Sequence, residues 1–340
     1  MTTRRGAAFF LLLSLPSAVA AGTVPSVAYG TYFGGSGGET ASAIATDAQG
    51  NIFIAGTTTS TDLPGTAGTY QANKAVGFPG TSDVYVAKFD PTGHTLLWTT
   101  YLGGDGNDTL VGMAADPQGG VYVTGNTMSS NFPFTSHLPG SILIGNIPFA
   151  AKLSSDGKKL IYSDGIPIQP VCFTVDATGA VYFAGGNYSF QFPTAPALSS
   201  PGAALLKLNA AGSAVVFGAQ LGSGTPTSIA VDAQGNAYVG GTSGGGILTT
   251  PSTFQPKYSN DGLQQSGQQI SNGFILEVNA AGTQLIYGTY FGPRYASTTI
   301  NNISPGPDGA MYFSGTTNGN TIAATNGVYH LTYAPRRHAV

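Results

Sequence analysis

Cysteine is almost missing from these 340 residues: Cys172 stands alone, so no intramolecular disulfide can form and stability has to come from packing. Charge is scarce too. Asp, Glu, Lys and Arg together make up 8% of the chain, against roughly a quarter in an average globular protein. A formal net charge of −3 with no basic run leaves no electrostatic footprint for nucleic acid or an anionic lipid surface. The four histidines, His94, His137, His330 and His338, are scattered without metal-ligand spacing, and neither His-Glu-x-x-His nor Gly-x-Ser-x-Gly occurs. Sustained helical periodicity is absent as well.

What is abundant points elsewhere. The chain is 41% hydrophobic, carries 35 Phe and Tyr residues and has 50 glycines, about twice the usual glycine share. Disordered segments lack the apolar area that offsets chain entropy, so this composition describes a packed, turn-rich protein.

The first residues carry Arg4 and Arg5, an apolar run from Ala7 to Pro16, and the small-residue pattern Ala18-Val19-Ala20. This is the layout of a secretory signal peptide over residues 1–20, with cleavage expected after Ala20. The arginine pair also allows a twin-arginine signal, but the residues after it fit that pattern only loosely, which favours the general secretory route. The run is too short for a membrane span, which needs about twenty apolar residues. None is expected after leader removal.

One segment recurs five times: Asp47-AQGNIFIAG, Asp116-PQGGVYVTG, Asp176-ATGAVYFAG, Asp232-AQGNAYVGG and Gly306-PDGAMYFSG. Its turn glycines, Gly50, Gly119, Gly179, Gly235 and Gly309, are spaced by 69, 60, 56 and 74 residues, a repeat period with variable loops. Each copy predicts a tight hairpin in which Asp opens the turn and Gly supplies a positive φ. The strand before it carries a large apolar residue (Ile44, Met113, Phe173, Ile229, Ile303) followed by a small one (Ala45, Ala114, Thr174, Ala230, Ser304). That pattern suits an innermost, crowded strand.

A second hairpin follows in each unit, beginning at Val84, Phe149, Ala204 and Phe274. Two hairpins make a four-stranded blade of about sixty residues. The C-terminal Val328-YHLTYAP matches a third strand without a fourth, and the N-terminal Val27-AYGTYFGG matches a fourth without a third. Pairing the ends completes a fifth blade and removes two exposed strand edges. The fold expected is therefore all-β: a single β-propeller over residues 24–335, with blades at about 41–104, 111–168, 171–223, 227–293, and 300–335 joined to 24–35.

The segment YGTYFGGSGGETASAIATDAQGNIFIAGTTTSTDLPGTAGTYQ, residues 29–71, resembles the bacterial SBBP-type β-propeller repeat. The family pattern runs through Tyr-Leu-Gly-Gly, Ile-Ala-Val-Asp, a Gly-Asn turn, Tyr-Val-x-Gly and an Asp-Phe-Pro segment. The third unit departs from it, with Tyr162-SDGIPI in place of the Tyr-Leu-Gly-Gly strand. The resemblance implies a propeller in an exported or cell-surface protein, and it implies no particular ligand.

Function is then expected on one face. The second-to-third-strand connections and the blade-to-blade connections emerge together and vary in length, and variable loops on a rigid scaffold are where binding sites concentrate. Trp98 aligns with Tyr29, Tyr162, Phe217 and Tyr287 and reads as framework. Phe132 and Phe192 align with Leu63 as loop plugs, and the recurring aspartates Asp47, Asp116, Asp176 and Asp232 read as turn caps. Cys172 aligns with Ala43, Gly112, Ser228 and Asn302, a small-residue position rather than a nucleophile.

Glu39, Asp105 and Asp108 are the open candidates for binding, because they lie in the glycine-rich junctions GGSGGE and GGDGND, where oxygen ligands can hold Ca²⁺. Otherwise no cofactor is expected, and no catalytic residue is assigned. The reading is a monomeric, non-catalytic scaffold, secreted, periplasmic or on the cell surface, with a protein or glycan partner on the variable-loop face. The alternative is a propeller enzyme of polysaccharide lyase, glycosidase or lactonase type, with or without Ca²⁺.

Overall fold

The computed structural model describes residues 7–11, 29–186, 199–200, 202–259 and 270–319. Among these residues there is no helix, and all the regular structure is strand. The chain divides into two compact units, one of residues 1–136 with 143–165 and the other of residues 137–142 with 166–340.

The first unit opens with β1 (Ala7–Leu11) and β2 (Tyr29–Phe33), which pair antiparallel with Ala7 opposite Phe33 and Leu11 opposite Tyr29. Part of the expected leader is thus a strand on β2. The segment expected beside β2, residues 328–335, lies outside the described residues.

A four-stranded antiparallel sheet follows: β3 (Glu39–Thr46), β4 (Ile52–Thr58), β5 (Asp83–Phe89) and β6 (Leu96–Leu102). The next sheet repeats the plan with β7 (Asp108–Ala115), β8 (Val121–Thr127), β10 (Ile147–Leu153) and β11 (Leu160–Gly165), plus the short β9 (Ser136–His137) beyond β11. Side chains from both sheets meet in one core, where Phe53, Val86, Trp98, Val123, Phe149 and Leu153 are buried. On the other side of the first sheet, Phe33 of β2 packs 5.5 Å from Tyr85 and 5.9 Å from Phe89, centroid to centroid.

The second unit contains the sheet β12 (Gln169–Val175), β13 (Val181–Gly186), β15 (Ala203–Leu208) and β16 (Val215–Gly222), with the short β14 (Ser199–Ser200) beyond β16. It continues with β17 (Thr225–Val231), β18 (Ala237–Ser243), β19 (Asn272–Val278) and β20 (Leu285–Phe291), then the pair β21 (Thr298–Pro305) and β22 (Met311–Thr317). Its core joins Tyr182, Leu205, Phe217, Val239, Phe274 and Leu276.

Local chemistry explains why the units repeat. In the first hairpin turn the Gly50 N–H bonds the Asp47 carbonyl at 3.0 Å, while Asp47 Oδ1 accepts from Gln49 N at 3.1 Å and Asn51 N at 2.9 Å. The turn glycines hold φ between 76° and 87° in all five copies, a region costly for any residue with a β-carbon. Each first strand carries a bulge at one repeat position, between Ala41 and Ala43, Leu110 and Gly112, Pro170 and Cys172, Pro226 and Ser228, and Ile300 and Asn302. Bulges increase twist and re-aim side chains, so five identical bulges impose the same curvature on every copy.

Candidate functional site

The glycine-rich junctions pose a hydrogen-bonding problem: their backbone N–H groups lie close together, with few side chains of their own. At the β2–β3 junction the donors are met by polar side chains across the loop. Glu39 Oε2 accepts from Gly35 N at 3.3 Å, and its Oε1 accepts from Thr58 Oγ1 at 2.8 Å and from Ser60 Oγ. Ser60 Oγ also accepts from Gly37 N at 2.7 Å, and Asp62 Oδ1 accepts from Ser36 N at 2.7 Å and Ser36 Oγ at 2.9 Å. Glu39 therefore acts as a clasp that closes its own loop.

The β6–β7 junction repeats the clasp with Asp108, which is fully buried. Asp108 Oδ2 accepts from Gly104 N at 2.8 Å, and both its oxygens take Ser129 Oγ at 3.0 and 3.1 Å. Ser129 Oγ accepts in turn from Gly106 N at 2.8 Å. Asp105 faces outward, yet its oxygens receive Ser130 N at 2.7 Å and Ser130 Oγ at 2.5 Å. These bonds hold its carboxyl below the usual range. At the β20–β21 junction the same places are filled without acids: Thr298 Oγ1 bonds Thr317 Oγ1 at 3.0 Å, and Ser297 N donates to Asn318 Oδ1 at 2.7 Å.

Glu39 thus serves one junction and Asp105 and Asp108 the next, each satisfied by partners within the chain. Among the described residues no group of three or more His, Cys, Asp or Glu is arranged to hold a metal ion. The second acid beside Asp108 is one the sequence reading passed over. Asp83, also fully buried, pairs with Lys74 Nζ at 3.1 Å and accepts from Ala75 N at 3.1 Å and Gln71 Nε2 at 3.4 Å. A β-carbon placed on Gly103 would lie 2.6 Å from Asp108 Oδ2 and 2.7 Å from Asp83 Oδ2, so a single glycine separates the two carboxylates. Burial pushes both carboxyls up, Asp108 to about 6, and the charge of Asp83 adds to the rise at Asp108. Neither reaches solvent, which removes them as a general acid and base for an outside substrate.

The turn aspartates have a partner the sequence reading also missed. Lys88 Nζ lies 3.2 Å from Asp47 and 4.7 Å from the centre of the Phe53 ring; Lys152 repeats this at 3.0 Å from Asp116 and 4.4 Å from Tyr122; Lys207 does so at 3.8 Å from Asp176 and 4.6 Å from Tyr182. The signal was present as a lysine at one third-strand position, in AKF, AKL and LKL. In the fourth copy that place belongs to Glu277. Trp98 is framework, giving its indole N–H to the Ser155 carbonyl at 3.2 Å. Burial pushes the half-buried Cys172 thiol up to about 12, far from thiolate chemistry at neutral pH.

The exposed apolar side chains of the long connections are what the internal bonds leave free. In the first unit the β4–β5 connection shows Val76 at 93% and Phe78 at 81% exposure, and the β8–β10 connections show Met128 at 61% and Ile144 at 88%. A β-carbon on Gly77, between Val76 and Phe78, would meet the Asp105 carbonyl oxygen at 2.3 Å, so the first tip rests on the β6–β7 junction.

Comparison with solved structures gives remote likenesses. A protein of unknown function from Bacteroides caccae is 10% identical over 78% of this chain and 86% of that one, with a TM-score of 0.37. A glucose dehydrogenase is 14% identical over 71% and 90%, with a TM-score of 0.29. BamB from Moraxella catarrhalis is 12% identical over 82% and 83%, with a TM-score of 0.25. No curated protein matches the chain. The model of the SBBP beta-propeller repeat family, however, matches residues 28–64, 97–133 and 217–248, so that three segments of this chain match that repeat.

Proposed function

We propose that the chain is an exported, monomeric propeller of five four-stranded blades, the last formed by residues 300–335 with 24–35, and that it acts as a non-catalytic interaction scaffold at the cell envelope or outside the cell. The observation that carries the binding role is the exposure of Val76, Phe78 and Ile144 at the tips of second-to-third-strand connections. Large apolar side chains displayed on long loops of a rigid sheet are the ordinary material of a protein or glycan contact. The junction acids support the same reading, since their oxygens are taken up in closing loops.

Export is supported by the residues 1–20 leader pattern, and no helix among the described residues is long and apolar enough to cross a membrane. Closure is supported by the repeat pattern of the sequence, in which Val328-YHLTYAP matches a third strand and Val27-AYGTYFGG a fourth, and removal of residues 1–20 would free the edge of β2 that β1 occupies.

The test is a binding screen of the mature chain against a glycan array and against solubilised envelope proteins of its host. Phe78→Ser and Ile144→Ser are expected to lose the partner found, with an unchanged melting temperature. A partner retained by both variants contradicts the assigned face.

A further inference from the structure

Asp83 and Asp108 are both fully buried and stand on either side of Gly103, and the ammonium of Lys74 pairs with Asp83. Two carboxylates that close in low dielectric repel, and their protons come off as those of a coupled pair. We propose that this pair is a proton-operated latch that sets how firmly the Lys74–Phe78 loop is held.

Each acid fastens a different loop. Asp83 holds the β4–β5 connection through Lys74 Nζ, Ala75 N and Gln71 Nε2, and Gln71 Oε1 accepts from Gly103 N at 3.1 Å. Asp108 holds the β6–β7 junction through Gly104 N and Ser129 Oγ, while its own N–H donates to the Ser82 carbonyl at 2.7 Å. The charged group that acts on Asp108 is Asp83 from β5, itself paired with Lys74 of the β4–β5 connection, while Asp105 of the junction is turned to Ser130. The end of β8 and the connection after it bring the hydroxyls of Thr127 and Ser129.

With both acids ionised, the repulsion across Gly103 works against the Asp83 anchor. When Asp108 takes a proton that repulsion ends, and Asp83 is free to hold Lys74 and Ala75 without being pushed away. The loop is therefore firmer in acid than at neutral pH, and the Val76 and Phe78 tips are presented more rigidly there. This regulation rests on the interaction face proposed above, but the latch is read out without any partner, so failure to find a partner leaves it intact.

The experiment is amide hydrogen exchange of the full mature chain at pH 5.0 and 7.5, corrected for intrinsic rates, together with a carboxyl carbon NMR titration. Protection at Ala75 is expected to fall by about tenfold from the lower to the higher pH, the effect of roughly one unit of coupling. Asp108→Asn, neutral at every pH, is expected to keep the acid level of protection throughout. The two carboxyl signals should titrate as a coupled pair, with one midpoint well above the ordinary aspartate range. A pH-independent Ala75 in the wild type, or two aspartates titrating independently in the ordinary range, overturns the latch; the titration needs no variant to fold.

Discussion

Glu277 Oε1 lies 3.1 Å from the hydroxyl oxygen of Tyr238, the same distance at which Asp232 Oδ2 approaches that hydroxyl from the turn. In three other copies the place of Glu277 holds a lysine, whose ammonium pairs with the turn aspartate and covers the aromatic ring. A phenol has one proton and can donate to one of the two carboxylates. Burial and both acids push the Tyr238 phenol up. The fourth copy has thus lost the cation that the framework is built around.

Restoring it should stabilise the protein. Glu277→Lys places an ammonium between Asp232 and the Tyr238 ring, a gain of about 1 kcal/mol from the cation–π contact and ion pair together. Thermal unfolding is the measurement, with a higher melting temperature expected; a lower one means that the fourth copy does not follow the pattern of the others.

Asp108 predicts a pH dependence opposite to that of most carboxylates here. Its pKa is raised in the folded chain, to about 6 against 3.8, so the folded state binds the proton more tightly than the unfolded state does. That contribution is complete below pH 4, declines between pH 4 and 6, and is gone above 6. Its size is roughly 3 kcal/mol from the shift alone. The turn aspartates Asp47, Asp176 and Asp232 are held low by their hydrogen bonds despite burial, and their contributions vanish in acid instead. Denaturant unfolding of wild type against Asp108→Asn isolates the single group. The difference in stability should shift toward the variant as pH rises from 4 to 7; a difference that stays constant refutes the assignment.

Gly157 closes the second hairpin of its sheet with φ of 70°, and an added β-carbon would meet the Trp98 ring at 2.7 Å. Gly157→Ala should therefore cost about 2–3 kcal/mol through strain and overpacking together. Intrinsic fluorescence of Trp98, the only tryptophan, should shift with the same substitution. An unperturbed emission and melting temperature contradict the packing described.

Calcium tests the junctions. Glu39 and Asp108 are engaged by two or more donors each from within the chain, so millimolar Ca²⁺ should leave the melting temperature where it is, and chelation should do nothing. A rise that is lost in Glu39→Gln or Asp105→Asn restores the cation reading of those loops.

The periodic part of this architecture was legible because its causes are local. A turn aspartate and its glycine lie within four residues of each other, as in Asp47 and Gly50, and the bulge position recurs as a small residue at Ala43, Gly112 and Ser228. The junction acids were located but assigned an open role, since their partners lie beyond the next hairpin, in the connections after β4 and β8: Ser60 is 21 residues after Glu39, and Ser130 is 25 after Asp105. The pairing of Asp83 with Lys74, and its approach to Asp108 across Gly103, depends on how two connections fold over one glycine. No spacing announces that. The strand pairing of Ala7–Leu11 on β2 was hidden for another reason: an apolar leader and a buried strand have the same composition.

The central claim is a five-bladed propeller completed by its two ends, and removal of the C-terminal segment tests it most directly. The comparison is the thermal unfolding of residues 21–340 with that of residues 21–326, which lack the proposed third strand of the fifth blade. Closure predicts a large drop in melting temperature and a less cooperative transition in the truncated chain. If the two chains melt together, residues 327–340 hold nothing in place and the propeller is not closed by its ends.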